Sequence, residues 1–432
     1  MSLSVPAATE ARISPLHKLF NFYLKTLIWS SICSIAIVAY IDGFMIERIG
    51  FNRFETAYYV FTLVLLLMWL AVNRVSLFWL SYITLLLVSL WTGVLVNGVD
   101  TSRLIEDTRY YVRSYLLGVL TFIFFLYTPI PKNSLNRFFW LQWIIVVCGV
   151  FIHFLFGFGG MHSERGIIRD IYSGFFKEAN VVSFFLVCNW YYLYCDLKER
   201  SFFIRYLITA ITMLAVILMS SKASILAIFF LLSYHWLNYF KIKSNFRRIM
   251  ANLLIFLFVF SAIIFFNNII ELFLQFIIRV VPDSAVIAYR LNTWDVITVL
   301  TSTRNLRLLR LFDEMRHYSF TEWLFGIGFN DILKFEKLIE SDFFDSLQAF
   351  GLVGTTLLYL PWILAFIYLQ KDKILKNIDF KLWVFMAGSF YVNLLISTAT
   401  GHVILTPMAV ILLGLIFGYW QNKRSVLKIR LP

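Results

Sequence analysis

Apolar residues run through this chain in blocks, not in alternation. Stretches close to 20 residues long, nearly free of charge, recur at 22–41, 57–73, 76–96, 114–128, 137–158, 179–196, 203–220, 222–239, 249–270, 345–369, 380–397 and 402–420. A helix rises about 1.5 Å per residue, so about 20 residues cross the roughly 30 Å hydrocarbon layer. Helices also satisfy every backbone donor internally, as lipid demands. The pattern predicts an all-α polytopic membrane protein of about 12 transmembrane helices. One sizeable segment, 271–344, breaks the rhythm. It opens IIELFLQFIIRVV, too short to span comfortably and predicted to lie along the membrane surface. The expected organisation is helices 1–9 within 1–270, a large extramembrane loop at 271–344, and helices 10–12 with a tail at 345–432.

Charge orients this arrangement. Alternate connections hold Arg12 and Lys18; Arg74; Lys132 and Arg137; Lys198, Arg200 and Arg205; Lys241, Lys243, Arg247 and Arg248; Lys371, Lys373, Lys376 and Lys381; and Lys423, Arg424, Lys428 and Arg430. Short loops rich in Lys and Arg face the cytoplasm, so both termini are expected there and 271–344 outside. The net charge of +13 is then largely an orientation signal. It is spread over many short loops, which argues against nucleic acid as a partner. With 60% hydrophobic and 15% charged residues, a soluble globular protein is excluded. The polar N-terminus lacks a short apolar core with a small-residue cleavage site, so no removable signal peptide is expected. Cys33, Cys148, Cys188 and Cys195 all lie in apolar segments without CxxC spacing and are expected to be buried thiols. The 46 Phe, 22 Tyr and 13 Trp fit lipid-facing rings and interfacial belts better than a sugar-stacking platform.

Ionisable groups at the outer ends of spans are the candidates for chemistry, because charge at membrane depth is costly unless paired or wetted. Arg109 and Arg113 in EDTRYYVRSYLL share a helical face. Snorkelling with pairing to Glu106 and Asp107 competes with a functional role. Lys222 in MSSKASIL stands on the side otherwise poor in Lys and Arg. RNLRLLRLFDEMR (304–316) puts Arg304, Arg307 and Arg310 at spacings of three, either as the polar face of a surface helix or as a guanidinium cradle for phosphate oxygens. Gly326 and Gly328 follow in TEWLFGIGFND and permit close backbone approach. In ESDFFDSLQAFGLVG (340–354), Glu340, Asp342 and Asp345 stand at the entrance to the apolar run that continues TTLLYLPWILAFIYL. Helix capping explains one acid there. Three suggest a general base for a sugar hydroxyl, with a paired-acid metal site at Glu340 and Asp342 as a rival. His402, at the outer start of the last span, reads as structural.

These patterns, in this order, resemble the O-antigen ligase and O-antigen polymerase superfamily, over roughly residues 100–420. RDIYSGFFKEAN (169–180) resembles its Arg, Ser-Gly-Phe, Asn stretch. SSKAS (220–224) resembles its Ser-Arg turn, with Lys222 for Arg. RNLRL (304–308) fits Arg-x3-Leu, and FGIGFN (325–330) resembles the Gly-x-Gly that follows. Ligases carry His, then Asn, Ser or Gln, nine residues, and Gly-x-x-Gly. Here Ser341 and Gly351-Leu-Val-Gly354 fit, but Glu340 stands where ligases have His, and that departure argues for a polymerase.

The resemblance implies a GT-C-like helical glycosyltransferase in the bacterial inner membrane, with its active site on the periplasmic side. Its substrates would be oligosaccharides on undecaprenyl diphosphate held in membrane lipid, with room for a chain-length regulator protein as a partner. A glycosyl diphosphate is already activated, and the chain carries no GxxxxGK[ST] nucleotide loop, so no cofactor and no metal are expected. Lys222, Arg304 and Arg307, with Arg109 and Arg113, would clamp the leaving diphosphate. Glu340, with Asp342 and Asp345, would form the catalytic group; Arg169, Asn180 and His402 would make further substrate contacts. The alternatives are a ligase acting on lipid A-core and, in another class, a flippase or transporter. The latter predicts repeats and charges inside spans, and neither is evident.

Overall fold

The computed structural model describes residues 15–51, 53–73, 77–96, 115–159, 163–164, 167–168, 172–176, 179–197, 202–219, 221–239, 304–328, 342–374, 383–392 and 406–430. The expected span at 249–270 and the surface stretch after 271 lie outside them. The regular structure of the described residues is helical apart from one antiparallel ladder of two-residue strands, β1 (Ser163–Glu164) and β2 (Ile167–Ile168). The helices are α1 (Pro15–Cys33), α2 (Ile35–Ile49), α3 (Phe54–Val72), α4 (Leu77–Val96), α5 (Leu117–Tyr127), α6 (Lys132–Phe156), α7 (Ala179–Asp196), α8 (Phe202–Leu218), α9 (Lys222–Tyr239), α10 (Arg304–Met315), α11 (Phe320–Phe325), α12 (Asp342–Ile374), α13 (Trp383–Val392) and α14 (Pro407–Arg430).

Among the described residues, three helices are long and apolar enough to cross a membrane, four if the bent pair α1 and α2 counts as one span; shorter apolar helices accompany them. That pair corrects the expected single rod at 22–41. The chain bends by 55° at Ser34. Ser34 N–H is shared between the carbonyls of Ser30 and Ser31, and its hydroxyl donates to Ser30 O. Gln142 of α6 bridges the break: its Nε2 donates to Cys33 O at 2.7 Å, and its Oε1 accepts from Ala36 N–H at 3.2 Å. A side-chain amide thus takes up backbone groups that a break in an apolar interior would otherwise leave unpaired.

Burial sorts the helices. α5 from Leu117 to Phe125, α7 from Val181 to Cys195 and α14 from Pro407 to Trp420 are buried on every side, which places them at the bundle centre. α5 and α14 meet backbone to backbone through Gly414 and Gly418; a Cβ on either would lie 2.5 Å from the carbonyl oxygen of Gly118 or Phe122. α1, α3, α4 and α8 carry exposed apolar side chains such as Phe20, Phe61, Leu85 and Phe203, as lipid-facing helices do. The cysteines are free, but only Cys188 and Cys195 are buried. Cys33 is half-buried, and Cys148 points outward on α6, which corrects the expectation of four buried thiols.

Contacts join helix ends in two groups. One holds Asn21 with Asn73, Lys132 and Asn136 with Asp196, and Asn422 with Leu126 O. The other holds Asp42, which accepts from Glu55 N–H at the start of α3, and Tyr172, whose N–H donates to Leu218 O. Each group gathers connections that the charge alternation puts on one side.

Candidate functional site

The expected motifs come together in two pairs. The first joins the Ser-Gly-Phe stretch with the Ser-Lys turn. Ser173, Phe175 and Phe176 are buried, and Phe175 lies edge-on against Tyr40, Phe44 and Phe158. Gly174 N–H donates to His153 Nδ1 at 3.2 Å. This stretch is a plug at the ends of α2, α6 and α8. Beside it, the turn after α8 puts Ser221 just before α9. Ser183 on the first turns of α7 donates to Ser221 Oγ at 2.8 Å, Ser221 donates to Ser224 Oγ at 3.0 Å, and Ser224 donates back to Ser183 Oγ at 2.7 Å. This closed ring of buried hydroxyls holds the N-terminal turns of α7 and α9 together. Asn180 sits in one of those turns and Lys222 begins the other. Two helix N-termini, each partly positive, thereby meet next to the expected cation.

The second pair joins the Gly-x-Gly stretch with the carboxylate helix. α10 is amphipathic, with Leu308, Leu311 and Met315 turned inward and Arg310, Asp313 and Arg316 exposed. Arg304 is its first residue, and Arg307, one turn on, is half-buried and engaged with neighbours. α10 packs on α12 through Phe312 and Phe344, rings 5.9 Å apart. A capping box at Ser319 and Glu322 starts α11, and Gly326 ends it with φ 79°.

The sequence predicts one continuous span from 345, but α12 is folded. Gly351 has φ 63° and ψ −169°, a conformation essentially open to glycine alone. The ring of Phe343 lies 5.8 Å from that of Tyr359. Sixteen residues along a straight helix would separate them by about 24 Å. The segment Asp342–Phe350 therefore turns back against the span that starts at Leu352. The turn exposes carbonyls, and the Gly-x-Gly stretch occupies them: Ile327 N–H donates to Gln348 O at 2.9 Å and Gly328 N–H to Ala349 O at 3.0 Å.

This fold changes the position of the acids. Asp342 and Asp345 do not cap the span; they face inward on the short segment, fully buried, together with Ser346 and Gln348. Tyr359, packed on Phe343 across the turn, has its hydroxyl buried in the same region. Gln348 Nε2 donates to Tyr318 Oη at 3.2 Å. Burial raises the Tyr318 pKa above the usual phenol value, with the Gln348 bond opposing and Glu314 and Glu322 adding to the rise, so Tyr318 is neutral at pH 7. Sequence reasoning passed over Ser346, Gln348, Tyr318 and Tyr359. The signal for the first two was present: Ser346 lies four residues after Asp342 and Gln348 three after Asp345, a polar stripe at helical spacing in an apolar run. Tyr359 carried no such signal, because only the turn at Gly351 brings it near.

A groove of about 500 Å³ runs beside this turn, lined by Leu85, Val88 and Thr92 of α4 and Leu352, Val353 and Thr356 of α12. Glu340, Arg109, Arg113, Arg169 and His402 lie outside the described residues, and the backbone alone is described for Lys222, Arg304 and Asn180. Among the described residues, no group of three or more His, Cys, Asp or Glu side chains is arranged to hold a metal ion.

A helical bundle with apolar outer flanks and a group of buried polar side chains on a folded helix defines the class: an integral membrane protein. Residues 286–421 match the family described as O-antigen ligase like membrane protein, a similarity that supports the resemblance to the O-antigen ligase/polymerase superfamily over that part of the chain. The family is a glycosyltransferase-like class of membrane enzymes that act on lipid-linked glycans. No curated protein matches the chain.

Proposed function

We propose that this protein is a polysaccharide polymerase of the O-antigen type. It transfers a glycan from an undecaprenyl-diphosphate donor to the hydroxyl of a second lipid-linked repeat unit, on the periplasmic face of the inner membrane. The observation that carries the reading is the docking of Gly326-Ile327-Gly328 onto the turn that buries Asp342 and Asp345, inside the segment that matches the family. It puts the Arg-bearing α10, the glycine stretch and the acids into one unit. The preference for polymerase over ligase rests on Glu340 in the position where ligases have His.

The chemistry needs two groups. The bond from the anomeric carbon to the diphosphate oxygen breaks, and the diphosphate leaves with the electron pair. Arg304, Arg307 and Lys222 hold that charge, with Arg109 and Arg113 in support. The acceptor oxygen bonds to the anomeric carbon and its proton passes to a carboxylate. Glu340 is assigned as the base, with Asp342 and Asp345 orienting the pocket, and Arg169, Asn180 and His402 as further substrate contacts. The prenyl chain lies in the groove between α4 and α12. Both termini are cytoplasmic, and the reaction requires no metal.

Deleting the gene and analysing the cell-surface glycan tests the reading. Single-repeat caps are the expected outcome. Bare core with accumulated lipid-linked polymer makes the protein a ligase instead, and unchanged glycan removes both. In a complemented strain, Glu340→Gln lowers polymer synthesis by about 10²–10⁴-fold, the usual contribution of a general base. Purified enzyme retains activity in EDTA; activity lost in EDTA and restored by Mg²⁺ or Mn²⁺ makes the acids a metal site.

A further inference from the structure

We infer that Tyr82 is a positioning residue for the lipid carrier: it pins α12 at a carbonyl that Pro361 leaves without a helical donor, and so fixes the α12 wall of the groove that holds the prenyl chain. The inference rests on the glycosyl-transfer reading above for the identity of that chain. α12 continues as a helix through Pro361. Proline has no backbone N–H, so the carbonyl four residues earlier, Leu357 O, has no donor within the helix. An unpaired carbonyl in an apolar interior is costly, and a neighbouring side chain has to supply the donor. Tyr82 of α4 does so, its hydroxyl donating to Leu357 O. Tyr115, just before α5, donates to the next carbonyl, Leu358 O, and the two hydroxyls lie 3.2 Å apart. Both tyrosines are buried. Rings enclose the pin: Trp79 stands edge-on to Tyr82 at 6.3 Å and to Phe122 at 5.6 Å, and Phe122 lies 6.4 Å from Trp362, the residue after Pro361. The groove begins where the pin ends. Leu357 lines it at this end, and Phe325 lines it at the other, beside the Gly351 turn. Between them α4 and α12 run antiparallel: Tyr82 meets Leu357, while Ser89 approaches Gly354, where an added Cβ would lie 3.7 Å from Ser89 Oγ. From Leu85 to Thr92 the groove follows α4 for about 10 Å. It is lined mostly by apolar side chains and is continuous with the turn that buries the acids. That shape suits the first part of a prenyl chain whose diphosphate sits at the turn.

The test measures equilibrium binding of two radiolabelled probes to the purified full chain in nanodiscs: undecaprenyl diphosphate, and a single-isoprene diphosphate too short to fill the groove. Tyr82→Phe keeps the ring packing and removes the donor. An unsatisfied buried acceptor shifts an equilibrium by about 5- to 100-fold, so the Kd for undecaprenyl diphosphate rises by at least about 5-fold while that for the short diphosphate stays as in wild type. Pro361→Ala restores the N–H that Leu357 O lacks and makes the pin redundant. In that background, adding Tyr82→Phe leaves both Kd values unchanged, a rescue that loss of general packing at Tyr82 would not show. The same comparison decides the matter if Tyr82→Phe alone does not fold, because the restored helical bond replaces the lost one. Equal weakening of both probes in Tyr82→Phe overturns the inference. So does an undiminished loss of affinity in the Pro361→Ala background. Wild-type affinity for both probes in Tyr82→Phe overturns it too, and leaves the glycosyl-transfer reading intact. If the wild-type chain binds neither diphosphate, the transfer reading itself fails and the inference fails with it.

Discussion

Replacing Gly351 with alanine tests whether the folded α12 organises this end of the molecule. Two costs arise at once. The backbone at φ 63° and ψ −169° is nearly closed to a residue with a Cβ, a penalty of about 1–3 kcal/mol. The new methyl would also stand 2.4 Å from Leu324 C and O and from Phe325 N. Those are backbone atoms, so no rotamer change relieves the contact, and α11 must move away. Moving it strains the bonds from Ile327 to Gln348 O and from Gly328 to Ala349 O, each worth about 0.5–1.5 kcal/mol. The sum, about 2–6 kcal/mol, opposes docking of residues 304–328 onto α12, and each 1.4 kcal/mol is a tenfold shift toward the undocked form. The assay is limited trypsin cleavage at the exposed Arg310 and Arg316 of protein in nanodiscs, with polymer ladders from complemented cells. Gly351→Ala should cleave there at least about 30-fold faster and make no ladder. Gly50→Ala is the control: its φ is 74° but nothing lies within 4 Å of the added atom, so it costs about 1–2 kcal/mol locally and leaves trypsin cleavage at Arg316 unchanged. Wild-type cleavage and ladders in Gly351→Ala refute the reasoning from geometry to docking.

Three further outcomes are expected. Arg304→Ala abolishes polymer while the protein stays in the membrane, and Arg304→Lys rescues poorly because a point charge does not reproduce a bidentate fork; normal polymer in Arg304→Ala removes the diphosphate cradle. In a cysteine-free background, Ser319→Cys reacts with an impermeant thiol reagent in intact spheroplasts and Ser244→Cys does not; the reverse pattern inverts the membrane orientation. Gln142→Leu lowers the thermal stability of detergent-solubilised protein by about 1–3 kcal/mol, because Cys33 O and Ala36 N–H lose their bridge across the bend at Ser34; an unchanged melting temperature shows that lipid-side relaxation satisfies them.

Some features of this protein follow from the chain as a one-dimensional pattern. Hydropathy marks segments by length and polarity alone, so α3, α4, α6, α7, α8 and α9 fall close to the blocks read from the sequence, while α14 runs ten residues past its block. A helix in lipid closes its own hydrogen bonds, and local composition suffices to call for one. The amphipathic α10 was legible for the same reason, since Leu308, Leu311 and Met315 recur on one face. The two breaks were not. Ser34 sits in an apolar block with no proline or glycine beside it, and its bend depends on Gln142, more than a hundred residues away. Gly351 is a glycine like others in apolar runs, and what makes it a turn is the Gly326–Gly328 stretch that fills the carbonyls the turn exposes. Hydropathy cannot tell a span from a span preceded by a folded-back segment, because both bury the same residues. So composition singled out the acids at 342 and 345, but their burial on a folded-back segment, and not at a helix cap, was decided by tertiary contacts alone.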